Sequence, residues 1–328
     1  MNKRIRDVLK PVLGYIVAVA GLAWVFHDIH PGRLFAELPR IRWGLVALGI
    51  ICDVLSYVCQ GVRWHLLLRP LGRVSVLRAT QATYAGLFIN EILPMRIGEP
   101  ARAFLVSRWI PAPFIRVIPS MALERLFEGI WLAAGIGLTA ILVPLPGSLV
   151  RSADVLGVVV LALTGAFILF VFRVPKTPTA PRRGWIGKAR SALRGLGDGF
   201  REIGLTRYTY LAFGISLCLF AFQALSFWLI LTGYGISLTF WAGAAVFLIV
   251  FFGTALPNAP ANVGSYQFFC VLGLTLFGVD KTVATGFSVV VFILLTLPLL
   301  ILGSLALGRS GTTLSSLRKD LKGLAVRI

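Results

Sequence analysis

The chain has 328 residues, of which 57% are hydrophobic and only 14% charged, with a mean hydropathy of +0.86. Apolar runs this long and this frequent exceed what a soluble core needs, so the composition excludes a soluble enzyme and indicates a polytopic α-helical membrane protein. The formal net charge of +19 does not point to nucleic acid, because lysines and arginines collect in short connections between apolar runs and no basic aromatic groove is visible.

In chain order, apolar windows of the ~20 residues that cross a bilayer fall near 10–27, 43–62, 116–143, 152–172, 208–232 and 282–306. Two more apolar segments, 76–110 and 238–277, are each interrupted by proline and glycine. Each reads as a pair of short re-entrant helices or as a broken pair of crossings. The expected fold is all-α, a single membrane domain over 1–328 with six full spans and two broken pairs. The basic residues before 10–27 and the Ala18-Val19-Ala20 triplet resemble a secretory signal, but the apolar run continues to Phe26, so an uncleaved first span is expected.

Basic residues set the orientation. Lys3, Arg4, Arg6 and Lys10, the loop with Arg63, Arg69, Arg73 and Arg78, the 173–207 connection and the 309–328 tail all fall on one side, which the positive-inside rule makes cytoplasmic. The connections 144–151, 233–237 and 278–281 are short and carry few charges; Arg33, Arg40 and Arg42 in 28–42 are the exception. Within 173–207, Trp185, Ala189, Leu193, Leu196, Phe200 and Ile203 form a helical stripe. It reads as an interfacial helix on the anionic cytoplasmic leaflet, although Gly195, Gly197 and Gly199 weaken any helix and a disordered basic linker is the alternative.

The two interrupted segments break at corresponding Leu-Pro pairs, Leu93-Pro94 and Leu256-Pro257, and each lies between two spans. Counting passes makes 43–143 and 208–306 inverted repeats joined through 152–172, a pattern that points to a transport site near the midplane. Pro94 and Gly98 shape one break; Pro257, Pro260 and Gly264 shape the other.

Charge at membrane depth marks candidate chemistry, since each such residue costs roughly 2.5–3.5 kcal/mol on insertion scales. The first half holds Asp53, Glu91, Glu99, Glu124 and Glu128 with Arg96, Arg102 and Arg125. The second half offers neutral groups: Asn258, Asn262, Ser265, Tyr266 and Gln267. Arg96 and Arg102 present planar forks suited to a lipid phosphate, backbone N–H groups between Pro94 and Gly98 add donors, and Glu99 and Glu124 pair with the arginines or bind a cationic headgroup. The alternative is that these charges merely neutralise one another. Asp53, Ser56, Tyr57, Gln60 and Arg63 form a polar helical stripe that lines a cavity or a helix contact, and Glu124 and Glu128 share a face with Trp131.

Cys52, Cys59, Cys218 and Cys270 lie in apolar runs without ligand spacing and read as small buried hydrophobes. His27, His30 and His65 show no catalytic or metal pattern, and no nucleotide-binding motif is present. No cofactor or metal is expected.

Arg63-Trp64, Asn90-x-x-Leu93-Pro94-x-Arg96-x-Gly98-Glu99-x-x-Arg102, Glu124-Arg125 and Leu256-Pro257-x-x-Pro260-x-x-x-Gly264 together resemble the flippase-like transmembrane domain of the lysyl-phosphatidylglycerol synthase family, over about 10–306. The resemblance implies a bacterial plasma (inner) membrane protein that moves a polar lipid between leaflets, and it adds Asn90, Arg125 and Arg63 to the headgroup contacts. Glu128 joins the cavity-lining set with Asp53, Tyr57, Gln60, Asn258, Asn262 and Gln267. No soluble transferase follows residue 306, so synthase activity is not expected. Where the family often carries a glutamate this chain has Gln267, and where it carries glycines after Pro260 it has Ala261 and Asn262.

Three readings follow: a translocator of an anionic or aminoacylated phospholipid, a lipid-binding partner of a separate enzyme docked through 173–207, and an intramembrane enzyme using Glu99 and Glu124. Membrane lipids are the expected partners, homodimerisation is left open, and nucleic acid is not expected.

Overall fold

The structure, a computed structural model, describes residues 41–93, 96–143, 185–255 and 260–311, with positions 19, 22–25, 27, 158, 162 and 165 besides. Within these residues every regular element is helical: α1 (Trp43–Leu68), α2 (Val76–Ile92), α3 (Gly98–Ser107), α4 (Phe114–Leu142), α5 (Trp185–Ile203), α6 (Arg207–Tyr234), α7 (Phe240–Ala255), the 3-10 turn Pro260–Asn262, α8 (Ser265–Leu276) and α9 (Lys281–Arg309). The expected spans 10–27 and 152–172, the loop 144–151 and the tail 312–328 lie almost wholly outside the described residues.

Four helices, α1, α4, α6 and α9, are long and apolar enough to cross a membrane. Their surfaces have the polarity that hydrocarbon selects. On α1, Leu48, Ile51, Leu55 and Val58 recur at helical spacing on the exposed side, while Asp53, Ser56, Gln60 and Arg63 are buried. On α9 the exposed stripe is Ile293, Leu297, Ile301 and Leu305, and Thr285 and Ser288 face inward. The chain is thus an all-α, multi-pass membrane protein.

The helices repeat in size. Lengths of 26, 17, 10 and 29 residues in α1 to α4 are followed by 28, 16, 12 and 29 in α6 to α9. Packing repeats with them: α2 packs on α1 and on α3, as α7 packs on α6 and on α8, and across the halves α2 lies on α9 while α7 lies on α4. The first helices of the two halves form one long antiparallel pair, in which Arg42 N donates to Gly233 O at 2.8 Å and, near the other end, Arg63 reaches Ser216. At ~1.5 Å per residue α3 and α8 are about half as long as the ~30 Å hydrocarbon core is thick, so neither short arm could cross it alone.

Two expectations need correction here. Arg63 was counted with the loop charges, but α1 continues to Leu68 and buries it completely; His65 Nδ1 lies 2.6 Å from Val74 O and helps to close the turn. The glycines of the connection do not undermine α5, because Gly195 packs on Ile115 and Gly199 on the carbonyl of Arg116, where side chains would not fit. Phe200 and Ile203 enter a core with Trp64 and Leu67, so this part of α5 docks on the bundle. The side chains of Trp185, Ala189 and Leu193 lie outside the described residues.

Candidate functional site

The first break is built by close backbone approach. A Cβ on Gly98 would overlap the carbonyl oxygen of Gly86, so α2 and α3 can fold against each other only with glycine at this point. Asn90 Oδ1 accepts from Gly98 N at 2.7 Å and closes the hairpin. Arg96 sits between the arms with φ 52°, a left-handed conformation rare outside glycine, and its Nη2 donates to the carbonyl of Thr254 at 2.5 Å. That carbonyl belongs to α7, in the opposite half. The second break has the same strained character: Ala261 and Asn262 have φ of 56° and 54°, and Gly264 has φ 86°.

From Arg96 a chain of alternating charges runs inward. Arg96 Nη1 lies 3.9 Å from Glu99, and Glu99 lies 2.9 Å from Arg125. Arg125 holds Glu128 at 2.5 Å, Glu128 accepts from Arg63 at 2.7 Å, and Arg63 also binds Glu124 at 3.0 Å. Arg102 closes the chain on the second oxygen of Glu124 and lies over the Trp64 ring at 4.6 Å. Four arginines meet three glutamates, leaving one positive charge in excess.

Exposure divides this chain into two. The side chains of Arg63 and Glu124 are fully buried and Arg102 nearly so, whereas Arg96 and Arg125 are 32% and 42% exposed. Three helices contribute to the buried part, and Ser216 of a fourth accepts from Arg63 at 3.4 Å. A cavity of about 220 Å³ opens at the exposed part, lined by Arg96, Glu99, Arg125, Glu128, Tyr57 and Gln60 among others. A second cavity of about 170 Å³ is lined by Asp53, and the two share Tyr57, Glu91, Gln223, Phe251 and Asn262 as walls.

The sequence-based assignments redistribute accordingly. Arg96, Glu99, Arg125, Glu128, Tyr57, Gln60 and Asn262 come together at the first cavity, and Asp53 at the second. Arg63, Arg102 and Glu124, expected as headgroup contacts, are instead sealed in mutual ion pairs because no solvent-facing surface is left to them. Asn90 lines the first cavity, but its side-chain oxygen is engaged by Gly98 N, so the expected free donor at that end of the break is already satisfied. Gln267 was placed in the cavity; its Oε1 accepts from Gly264 N at 2.8 Å, capping α8, and it is buried. Pro94, Pro257 and Asn258 lie outside the described residues, and Pro260 opens the 3-10 turn. Cys52 and Cys270 are buried as expected, but Cys59 is half-buried and Cys218 exposed.

Inverted repeats would set the two breaks on opposite sides of the membrane. In the structure both reach one polar region, since Arg96 and Asn262 line the same cavity and Arg96 bonds across to Thr254. Glu91, counted in the sequence among the acids at membrane depth but given no role, lines both cavities, as does Gln223, a polar group inside an apolar run that the sequence reading passes over.

A family model described as the lysylphosphatidylglycerol synthase TM region matches residues 12–303. The glycosyltransferase AglD of Haloferax volcanii is 28% identical over 157 residues, covering 48% of this chain but only 25% of that protein. The chain thus spans about a quarter of the length of that relative. A UPF0104 membrane protein of Methanothermobacter thermautotrophicus is 22% identical, over 84% of this chain and 88% of its own. No solved structure matches.

Proposed function

This chain belongs to the lysylphosphatidylglycerol synthase transmembrane-region family, and from that premise we propose that its lipid-related role is to carry a polar-headgroup lipid, anionic or aminoacylated, between the leaflets of a bacterial plasma membrane. The observation that carries this reading is the meeting of two helix breaks, one from each half, at a single cavity whose mouth holds two partly exposed arginines. Discontinuous helices from two repeats around one polar site are the architecture of alternating access.

In this reading the headgroup phosphate enters from the cytoplasmic leaflet and is taken by Arg96 and Arg125, whose shared partner Glu99 is released. Arginine suits the task because its planar fork binds phosphate by two parallel hydrogen bonds. Arg63, Glu124 and Arg102 keep the walls in register and never touch lipid. The positive charge of the 173–207 connection attracts the anionic cytoplasmic leaflet. With no nucleotide-binding motif in the sequence, movement is passive or driven by an ion gradient.

The test is leaflet exchange in liposomes of phosphatidylethanolamine and phosphatidylglycerol containing the purified chain, followed with headgroup-labelled lipids. Faster exchange of at least one anionic or aminoacylated lipid, slowed by Arg96→Gln and by Arg125→Gln, is the expected result. Exchange no faster than in protein-free liposomes, across a panel that includes isoprenoid phosphates, would overturn the reading.

A further inference from the structure

The second cavity differs from the first in charge. Asp53 of α1 and Glu91 of α2 line it together with Tyr57, Gln223, Thr254, Asn262, Tyr266 and Thr296, and no lysine or arginine is among its lining residues. Asp53 is only 5% exposed, yet its carboxylate receives no hydrogen bond from any described residue; Ser56 Oγ, one turn on, donates to the backbone carbonyl of Asp53 instead. Glu91 Oε2, Gln223 Oε1 and Tyr266 OH are likewise buried without a partner. Three orphaned oxygens from α2, α6 and α8 and the Asp53 carboxylate of α1 thus line one small space.

Unpartnered acids at this depth are expensive, and all but the tyrosine of these groups act as acceptors in their ionised or amide forms, so what they lack is a cation or a proton. Arg96 attracts Glu91 across the space between them but makes no hydrogen bond or ion pair with it, and no lysine or arginine pairs with Asp53 among the described residues. Arg96 lines the adjoining cavity but is engaged by Glu99 and the Thr254 carbonyl. The other titratable groups around the site are Tyr57 and Cys52 on α1, Tyr84 on α2 against Tyr57, and Tyr266 and Cys270 on α8; α6, α7 and α9 contribute the neutral Gln223, Thr254 and Thr296. Among the described residues no three acid, histidine or cysteine side chains converge, so the donor set does not fit a divalent metal.

We infer that Asp53 and Glu91 form a binding site for one monovalent cation, a proton or Na⁺, completed by Gln223 and Tyr266 of the other half. Because its oxygens come from both halves, the bound cation ties the halves together, and its arrival or departure biases which way the adjoining cavity opens. The coupling rests on the proposed translocation; the binding does not.

Purified full-length chain in detergent allows the binding to be measured without any transport. Two signals are followed, saturable binding of radioactive sodium and the infrared band of a protonated carboxyl group as buffer pH is varied. Sodium affinity about tenfold weaker in both Asp53→Asn and Glu91→Gln identifies the ligand as Na⁺; a protonated-carboxyl band lost in both identifies it as the proton. Tyr266→Phe, which leaves the charges in place, is expected to weaken or shift whichever signal is found. Neither signal in monodisperse wild-type protein, or a signal that survives both acid substitutions, overturns the site. In liposomes the ratio of lipid exchange with and without the corresponding ion gradient should collapse to one in either variant. Cation binding without lipid movement leaves the site standing and removes the translocator reading; lipid movement without cation binding does the reverse.

Discussion

Glu124 accepts from two buried arginines; Arg63 also pairs with Glu128, but among the described residues Arg102 has no other carboxylate within ion-pair distance. Glu124→Gln should therefore lower stability by about 3–5 kcal/mol, the cost of leaving buried charge uncompensated, measured as thermal unfolding of the purified protein. Arg96→Gln and Arg125→Gln remove partly exposed groups and should change stability by less than about 1 kcal/mol, while slowing lipid exchange. Equal destabilisation by all three would show that the division into a sealed network and an open mouth is wrong. The sequence brought these charges to attention because each stands alone in an apolar run, but it could not divide them. Arg63, Arg102 and Arg96 look alike as letters; burial separates them, and burial follows from which helices cross at each position. Cys218 makes the same point, being exposed on the apolar face of α6 where the sequence suggested a buried thiol. It should react with membrane-permeant maleimides in detergent and be protected in bilayers from impermeant ones.

At the scale of helices, the breaks are maintained by backbone conformation as much as by charge. Gly98→Ala would drive a methyl group into the Gly86 carbonyl and is expected to lower stability by about 1–3 kcal/mol, whereas Ala261→Gly relieves a left-handed alanine and should raise it by about 1 kcal/mol. Opposite signs in thermal unfolding are the check. The bounds of α4, α6 and α9 were legible within a few residues because hydrocarbon demands long uninterrupted apolar runs. The end of α1 was not, since a buried arginine and histidine imitate a loop. The docking of α5 was hidden for a related reason: glycines that weaken an isolated helix are what allow this one to approach α4 closely. Gln267 caps α8 through a side-chain oxygen that a glutamate would supply equally, so the departure from the family pattern preserves the turn.

For the molecule as a whole, the order of spans and breaks predicts two halves of like build, and the helix lengths repeat accordingly, but an inverted arrangement would set the two breaks on opposite sides. Lateral packing, with α2 on α9 and α7 on α4, is what brings them together, and no local pattern encodes it. The resulting arrangement sets arginines at one cavity and Asp53 and Glu91 at the next, so that the proposed headgroup and cation sites share a wall. The most direct measurement of the central claim is an electron cryo-microscopy map of the full chain in nanodiscs containing phosphatidylglycerol. Headgroup density between Arg96 and Arg125, with the phosphate within hydrogen-bonding distance of both guanidinium groups, is the expected result. A cavity closed to lipid, with density for headgroups only at the outer surface of the bundle, would contradict it.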